Sequence, residues 1–294
     1  MVACAEVSRP IRGLQWQMCL PVRDTIRSTV IGPSIRARMI DPARRFGRRV
    51  FATVSALTDD KTFSCPICSY SGLFLHFPMM GKPQRRYATC PACGSRERHR
   101  LQARVLANLL PECSGPGKCA LHFAPEDFFA QAFRDAFGTY TTCDLYRLDV
   151  DVRADITDLP FPDNSVDFIF ASHVLEHVQR DRDAINELTR VLRPGGVAVL
   201  PVPIYSDKQT YEPLLHTVEY GSARPEEDGH VRAPGLDYFD RYRTVFEEVC
   251  IVSSELFEKD ATDSQLHILG VDGATSFSLP DYVPICRKAS VATR

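Results

Sequence analysis

The sequence predicts a doubly wound α/β domain with a mostly parallel sheet, preceded by a small cysteine-rich module. Two observations carry this prediction. From residue 118 onward, short apolar runs alternate with amphipathic helical patterns, which is the order of elements in α/β folds. Within 63–94, two close cysteine pairs stand among aromatic and turn residues, a pattern that favours a compact hairpin unit built around a metal ion.

The composition is that of a soluble globular protein. The 294 residues are 44% hydrophobic and 24% charged, close to the averages for such proteins. No apolar run approaches the roughly 18–20 residues that span a bilayer, and the N-terminus lacks the apolar core of a secretion signal. Most of the eleven cysteines are scattered, as in a reducing compartment, so we expect a cytoplasmic protein.

Charge divides the chain into a basic front and an acidic remainder. Ten arginines and no lysine fall within 1–50, so we predict a basic, disordered tail over 1–58, or a true start at Met39. A short basic helix and an organelle transit peptide are the alternatives. The basic front could contact phosphate, anionic glycan or a membrane surface, or it could simply be solvated.

Two cysteine pairs, Cys65/Cys68 and Cys90/Cys93, predict a metal site. Each pair brings two sulfurs to one side of a turn, and 21 residues separate the pairs. Four sulfurs supply the ligands of tetrahedral zinc. With four protein ligands such a site is closed, and therefore structural. A reactive dithiol and chance pairing are the alternatives.

The segment 95–110 predicts an amphipathic helix that completes a module over 59–112. Ser95 is a suitable N-cap, and apolar residues recur on one face. Arg96, Arg100 and Arg104 form a stripe on another face. Pro111 and the stretch 115–117 predict a linker after this helix.

The remaining elements follow from periodicity and turn residues. The run 166–171 is almost continuously apolar, as expected of a parallel strand buried on both faces. A long polar stretch covers 205–235. The α/β domain is expected over 113–272, with a C-terminal tail over 273–294. The predicted strands are 118–123, 140–145, 152–155, 166–171, 197–203, 249–254 and 266–271, and the predicted helices are 126–137, 182–192 and 236–246.

The segments 155–177 and 188–196 resemble class I S-adenosylmethionine-dependent methyltransferases of the type 11-like group. The first runs from Asp155-Ile-Thr-Asp to His-Val-Leu-Glu-His177, and the second ends in Arg-Pro-Gly-Gly196. The resemblance covers about 118–272 and implies a Rossmann-like fold that binds S-adenosyl-L-methionine. Residues 63–126 also resemble a smaller bacterial group in which a cysteine-pair module precedes this domain.

The first cofactor loop departs from the family pattern. A glycine-rich loop is expected after the first strand, but Ala124 and Glu126 stand in the places of the first two glycines. Glu126 could accept hydrogen bonds from the ammonium group of the cofactor, and His122 could hydrogen-bond nearby. Alternatively, the loop is narrowed and binds nothing.

The resemblance implies further cofactor-binding residues at strand ends. Asp144 ends the second strand, where a carboxylate accepts both ribose hydroxyls, although it could be an ordinary turn residue. Asp155 and Ile156 match the position that meets the adenine. Ser172 and His173 end the fourth strand, and His173 is a candidate neighbour of the cofactor.

The acceptor side is less defined by the sequence. The stretch 205–235 is a candidate lid, because structureless loops of this length are otherwise uncommon. His173, His177, Tyr205 and His230 are weak candidates for catalysis. His177 fits a buried core histidine with satisfied hydrogen bonds better than a catalytic base.

These observations predict a methyltransferase acting on a small molecule or a saccharide- or lipid-linked intermediate. An RNA methyltransferase that grips phosphate through the zinc module and the arginine stripe is the alternative. A protein that has lost its cofactor and serves only in binding is a third. Nucleic acid is a possible partner but is not favoured, because the catalytic half is acidic.

Overall fold

The computed structural model describes residues 62–77, 85–212, 229–257 and 281–290. The front of this part consists of two short hairpins and one long helix. Hairpin strands β1 and β2 pair antiparallel, as do β3 and β4. Their bounds are β1 Phe63–Ser64, β2 Ser71–Gly72, β3 Leu75–Phe77 and β4 Arg85–Thr89, followed by helix α1 at Glu97–Cys113.

The rest of the described chain forms a seven-stranded sheet with helices. The elements are β5 Gly115–Phe123, α2 Asp127–Ala136, β6 Phe137–Asp144, β7 Val152–Arg153, β8 Val166–Ala171, α3 Asp181–Val191, β9 Leu192–Val199, α4 Tyr238–Arg243, β10 Glu248–Ser253 and β11 Tyr282–Arg287. The strand order is β10-β11-β9-β8-β5-β6-β7. Strands β5 to β9 pair in parallel, and β11 runs antiparallel between β9 and β10. The doubly wound, mostly parallel sheet predicted from the sequence is confirmed.

Strand order reverses direction between β5 and β8. From β5 the chain moves to β6 and β7 on one side, and then crosses to β8 and β9 on the other. Ligands of open α/β sheets bind at such a switch point, beyond the carboxyl ends of the strands. The carboxyl ends of β5, β6 and β8 are therefore where a site is expected.

The front module and the sheet share one hydrophobic core. Ile67 and Phe74 of the module, Leu106 of α1, and Phe168 and Phe170 of β8 belong to the same buried cluster. Neighbouring β8 residues such as Ile169 face the other side of the sheet and belong to a second cluster, because side chains alternate along a strand. The module is therefore packed onto one face of the sheet.

Helix α1 differs from its prediction at both ends. Its N-cap is Arg96 rather than Ser95, and it continues through Pro111 to Cys113. Pro111 lies in the last turn, where its missing N–H costs one hydrogen bond only. Strand β5 then begins at Gly115, so the predicted linker over 115–117 is wrong.

The arginine stripe is not exposed to solvent as a whole. Arg100 is fully buried and Arg104 is nearly so, while Arg96 lies over the ring of Phe77 at 4.8 Å. The helix lies between the module and the sheet, so the face that carries these arginines is covered. The prediction that this stripe grips phosphate is therefore wrong for Arg100 and Arg104.

The C-terminal limit of the domain is also corrected. Strand β11 lies inside the predicted tail 273–294, yet Ile285 and Cys286 are buried in the sheet. The predicted strand 266–271 and the predicted tail 1–58 lie outside the described residues. Within the described ranges, no helix has the length and apolar content needed to cross a membrane.

Candidate functional site

The four predicted metal ligands meet in the front module. The Sγ atoms of Cys65 and Cys93 are 3.7 Å apart, and those of Cys68 and Cys90 are 3.6 Å apart. All four sulfurs lie within 4.8 Å of one another. The residue after each pair takes a left-handed conformation, with φ of 58° at Ser69 and 79° at Gly94. Each turn can therefore close on its own pair, as two facing metal knuckles require.

Buried polar groups surround the four sulfurs. The hydroxyl of Ser95 lies 3.1 Å from Sγ of Cys93. The Ser95 side chain therefore interacts with the sulfur cluster and does not cap helix α1. The guanidinium of Arg100 donates to the carbonyls of Ala88 and Ser95, each at 3.0 Å. Burial lowers the pKa of Arg100, and the charges of Glu97, Cys65 and neighbouring cysteines oppose that shift. The sulfur cluster and the buried arginine therefore compensate each other's charge.

The loop after β5 adopts a glycine-like conformation without glycine. Ala124 has φ of 45°, in the left-handed region that favours glycine, and its N–H donates to the carbonyl of Cys143 at 3.0 Å. Helix α2 begins directly after Glu126, which is its N-cap. The backbone therefore turns sharply beside the switch point, as the sequence comparison with glycine-containing loops implied.

His122 links Glu126 to Tyr140 through a chain of hydrogen bonds at this loop. Nε2 of His122 lies 3.0 Å from Oε2 of Glu126, and Nδ1 lies 2.9 Å from the hydroxyl of Tyr140. His122 is fully buried, and the side chain of Glu126 is 19% exposed. A carboxylate only accepts, so His122 donates to Glu126 and accepts from Tyr140. These hydrogen bonds fix the Glu126 carboxylate at the edge of the sheet.

Asp144 ends β6 and shapes the turn that follows. Its Oδ1 accepts from the N–H groups of Tyr146 at 2.7 Å and Arg147 at 2.9 Å. Arg147 in turn donates to the carbonyl of Pro125 at 2.6 Å, which ties this turn to the loop after β5. Leu145 and Tyr146 are exposed although they are largely apolar. Oδ1 thus holds the turn closed, and the cofactor role of Asp144 stays a prediction.

The loop after β7 holds the next two predicted positions. Oδ1 of Asp155 accepts from the backbone N–H and the hydroxyl of Thr157, both at 2.8 Å. Asp155 is exposed, and Ile156 is buried. Both residues lie beyond the end of β7, on the same edge of the sheet as Asp144.

Helix α1 reaches the end of β8, which the sequence did not indicate. Nε2 of Gln102 donates to Oγ of Ser172 at 3.0 Å. His99, one turn earlier, packs on the ring of Phe128 at 4.7 Å. Burial, followed by the charges of Arg98, Arg96 and His173, holds the pKa of His99 well below its usual value. His99 and Gln102 therefore line the same region as Ser172 and His173, and only their spacing on α1 could have hinted at it.

Four polar residues gather after β8. His173 has φ of 55°, and its Nδ1 donates to Oε1 of Glu176 at 3.1 Å. Glu176 is fully buried. Burial alone would raise the pKa of Glu176, but the hydrogen bond from His173 and the nearby His177 and His230 hold it below its ordinary value. Sequence reasoning missed Glu176, although an acid between two histidines in a turn after a buried strand was a usable signal.

His177 and His230 face each other across this cluster. Their rings are 4.7 Å apart. Nδ1 of His177 donates to the carbonyl of Gly229 at 2.9 Å, and Nδ1 of His230 lies 3.2 Å from the hydroxyl of Tyr205. All four weak candidates for catalysis thus lie in one cluster, together with Glu176. His177 is partly buried and its Nδ1 is hydrogen-bonded, and its role stays a prediction.

The described ends of the candidate lid pair with each other. Tyr211 and Ala233 exchange backbone hydrogen bonds at 2.9 and 2.8 Å, and the N–H of Tyr205 donates to Pro234 at 2.8 Å. Its middle, 213–228, lies outside the described residues. Whether 205–235 closes over a ligand stays a prediction.

Comparison with known proteins gives one family match. Residues 124–200 match the family model described as a methyltransferase domain. This segment runs from the loop after β5 to the residue after β9, and it includes Glu126, Asp144, Asp155 and His173.

Three curated relatives are informative. An uncharacterized methyltransferase of Mycolicibacterium paratuberculosis is 34% identical over 133 residues, which are 45% of this chain and 48% of that protein. Another from Mycobacterium sp. (strain JLS) is 50% identical over 54 residues, 18% of this chain and 21% of that protein. A demethylmenaquinone methyltransferase of Clavibacter sepedonicus is 46% identical over 59 residues, 18% and 24% of the two chains. The chain thus spans less than half the length of these relatives.

Two solved structures are similar over most of their length. One is an S-adenosylmethionine-dependent methyltransferase from Archaeoglobus fulgidus, with 16% identity, a TM-score of 0.42, and coverage of 65% of this chain and 94% of that one. The other is a putative methyltransferase from Bacillus halodurans, with 17% identity, a TM-score of 0.41, and coverage of 63% and 99%.

Proposed function

Because this chain carries a class I methyltransferase domain, we propose that it transfers a methyl group from S-adenosyl-L-methionine to a small molecule or a saccharide- or lipid-linked intermediate. The observation that carries the proposal is the edge of the sheet at the switch point. There Glu126, Asp144 and His173 follow three neighbouring parallel strands, within or beside the segment that matches the family model.

The cofactor would bind along this edge. The Oδ2 of Asp144 would accept the ribose hydroxyls, while Oδ1 keeps the turn closed. The Glu126 carboxylate, oriented by His122, would accept the ammonium of the methionine end. Asp155 and Ile156 would meet the adenine, and the left-handed turn at Ala124 lets the backbone approach the ligand closely.

The reaction requires no covalent intermediate between the substrate and the protein. Methyl transfer is an in-line displacement at a sulfonium, so the main tasks are to align the acceptor with the methyl group and exclude water. An acceptor that carries a proton also needs a base. His173, His177 and His230 lie beside the end of β8, where this proton would be released.

We further propose a structural zinc ion in the front module. With zinc–sulfur bonds of about 2.3 Å, the edge of a tetrahedron is about 3.8 Å. The two sulfur–sulfur distances of 3.7 and 3.6 Å fit that edge. Four thiolates around zinc leave a net negative charge, which the buried Arg100 guanidinium offsets.

The burial of the arginine stripe argues against the RNA alternative. Phosphate contacts need exposed cations, but Arg100 and Arg104 are buried. The test is transfer of tritiated methyl from S-adenosylmethionine into a bacterial extract separated into small-molecule, lipid and RNA fractions. Label in the first two fractions supports the proposal, and label confined to RNA supports the alternative. No transfer, together with no binding of S-adenosylhomocysteine, would indicate a protein that has lost its cofactor.

A further inference from the structure

We propose that Glu176, His177 and His230 bind a divalent first-row transition-metal ion, and that this ion takes a hydroxyl oxygen of the methyl acceptor as an additional ligand. The proposal rests on the proposed methyltransferase function, because it names the acceptor side of the same site. It makes the acceptor class an alcohol or phenol and the reaction an O-methylation.

The donor atoms converge. One ligand atom from each of the three residues lies within 4.8 Å of the others, and Nε2 of His230 is 3.9 Å from Oε1 of Glu176. Two imidazoles and a carboxylate are a preferred ligand set for zinc, iron and their neighbours. Ligands bonded at about 2.0–2.1 Å to one ion lie closer together than this, so binding would draw the three side chains inward by about 1 Å.

In each histidine, Nε2 is the ring nitrogen that would bind the ion, because Nδ1 has a hydrogen-bond partner. A carbonyl can only accept, so Nδ1 of His177 carries its proton toward Gly229, and the lone pair of the neutral ring is on Nε2. Nδ1 of His230 lies 3.2 Å from the hydroxyl of Tyr205, which accepts the hydrogen bond when that nitrogen carries the proton. Metal-binding histidines characteristically use the second nitrogen in this way.

Glu176 supplies the independent observation. Its side chain is fully buried and its Oε1 is bonded to His173, yet within the described part of the chain no hydrogen-bond donor reaches Oε2. A buried carboxylate oxygen without a partner is destabilising, because it has lost its hydration and gained no hydrogen bond. A cation held by both oxygens of this carboxylate would give Oε2 a partner.

The backbone holds the three residues together. The N–H of Val231 donates to the carbonyl of Glu176 at 3.0 Å. The buried Arg232 donates to the carbonyls of Leu175 and Gln179, at 2.8 and 2.9 Å. The segment with His230 is thus fixed against the turn with Glu176 and His177, so the cluster is pre-organised for a ligand.

Three protein ligands leave coordination positions open for the acceptor. A hydroxyl bound to a divalent ion loses its proton more easily, and the proton passes to solvent. The oxygen lone pair then forms the bond to the methyl carbon as the carbon–sulfur bond breaks. The sulfur keeps that electron pair, and S-adenosylhomocysteine leaves as a neutral thioether.

Calorimetric titration of cobalt(II) into the full-length protein loaded with one equivalent of zinc, which the four thiolates take up, tests this. Soft thiolate ligands select zinc, so cobalt will not displace zinc from the four cysteines. The expected result is one cobalt per chain, with affinity lowered at least tenfold in His230→Ala and Glu176→Gln. The exposed His76 provides the matched control, and His76→Ala should bind cobalt normally.

Folding and cofactor binding are measured on the same samples. His230→Ala removes a partly exposed ring, so it keeps the test valid even if the buried Glu176→Gln variant unfolds. No cobalt binding, or equal binding by His230→Ala, overturns the metal proposal. If S-adenosylhomocysteine still binds, only the metal proposal fails. If it does not bind either, the proposed function fails as well.

Discussion

Glu126 stands where a glycine is expected, in a loop that keeps a glycine-like turn. Its carboxylate accepts from His122 at 3.0 Å, and Ala124, two residues earlier, takes the left-handed turn with φ of 45°. An alanine in this region costs roughly 1–2 kcal/mol. The loop therefore retains a strained backbone conformation and adds a fixed negative charge beside it.

Replacing Glu126 with glutamine should lower affinity for S-adenosylhomocysteine by about tenfold or more, because a charge-assisted hydrogen bond to the ammonium becomes a neutral one. The amide oxygen can still accept from His122, so the fold should be kept. Calorimetry measures the affinity and thermal melting measures the stability. Glu112→Gln, an exposed residue paired with Arg287 at 3.3 Å, is the matched control. Unchanged affinity with a lower melting temperature would mean that Glu126 serves only the start of α2.

At the scale of elements, helix α1 links the module to the site. Arg100 donates to the carbonyl of Ser95, whose hydroxyl lies beside the sulfur cluster, and Gln102 donates to Ser172 at the end of β8. Periodicity predicted the apolar face, since Leu101, Leu106 and Leu109 are buried. Periodicity could not predict that the arginine face is buried too, because that depends on what the rest of the chain packs against it.

The start of α1 should be sensitive to pH through His99. The backbone N–H of Arg96 donates to its Nδ1 at 3.0 Å, and burial keeps the pKa of His99 well below its usual value. The unfolded chain takes up this proton as the pH falls through about 6.5. The folded state does not, so the free energy of unfolding decreases below that pH, by at most about 1.4 kcal/mol per pH unit.

His99→Gln tests that assignment. Glutamine at this position can accept the same backbone bond but does not titrate, so the decrease in stability between pH 7.5 and 5.5 should be smaller than in the unchanged protein. Urea unfolding at both pH values measures it, with zinc content checked in each sample. An equal decrease in both proteins would show that His99 does not keep its neutral form on folding.

At the scale of the whole molecule, the module and the sheet are one structure. Ile67 and Phe168 share a hydrophobic cluster, although composition and cysteine spacing suggested a separable unit. The convergence of the two cysteine pairs and the parallel strands could be predicted from local spacing, and the strand-end positions of Asp144 and His173 from the family resemblance. The shared core, β11 and the gathering of Glu176 with His230 could not, because they depend on contacts between distant segments.

Removing zinc should therefore affect the cofactor site. Without the metal, Arg100 would remain buried beside protonated thiols, and loss of a buried charge partner costs about 3–5 kcal/mol. We expect chelation to lower the melting temperature by at least about 5 °C and to weaken binding of S-adenosylhomocysteine, with both restored by added zinc. Full affinity in the zinc-free protein would show that the module is independent of the site.

The central claim is that the switch-point edge binds S-adenosylmethionine through Asp144. The most direct measurement is calorimetric titration of the zinc-loaded protein and its Asp144→Asn variant with S-adenosylhomocysteine. Asparagine keeps the Oδ1 acceptor for Tyr146 and Arg147 but replaces the charged oxygen at Oδ2 with a donor. We predict one site per chain, unchanged melting, and an affinity lowered about 10- to 100-fold in the variant, while the exposed control Asp183→Asn binds normally. Absence of binding, or equal affinity in Asp144→Asn, would contradict the claim.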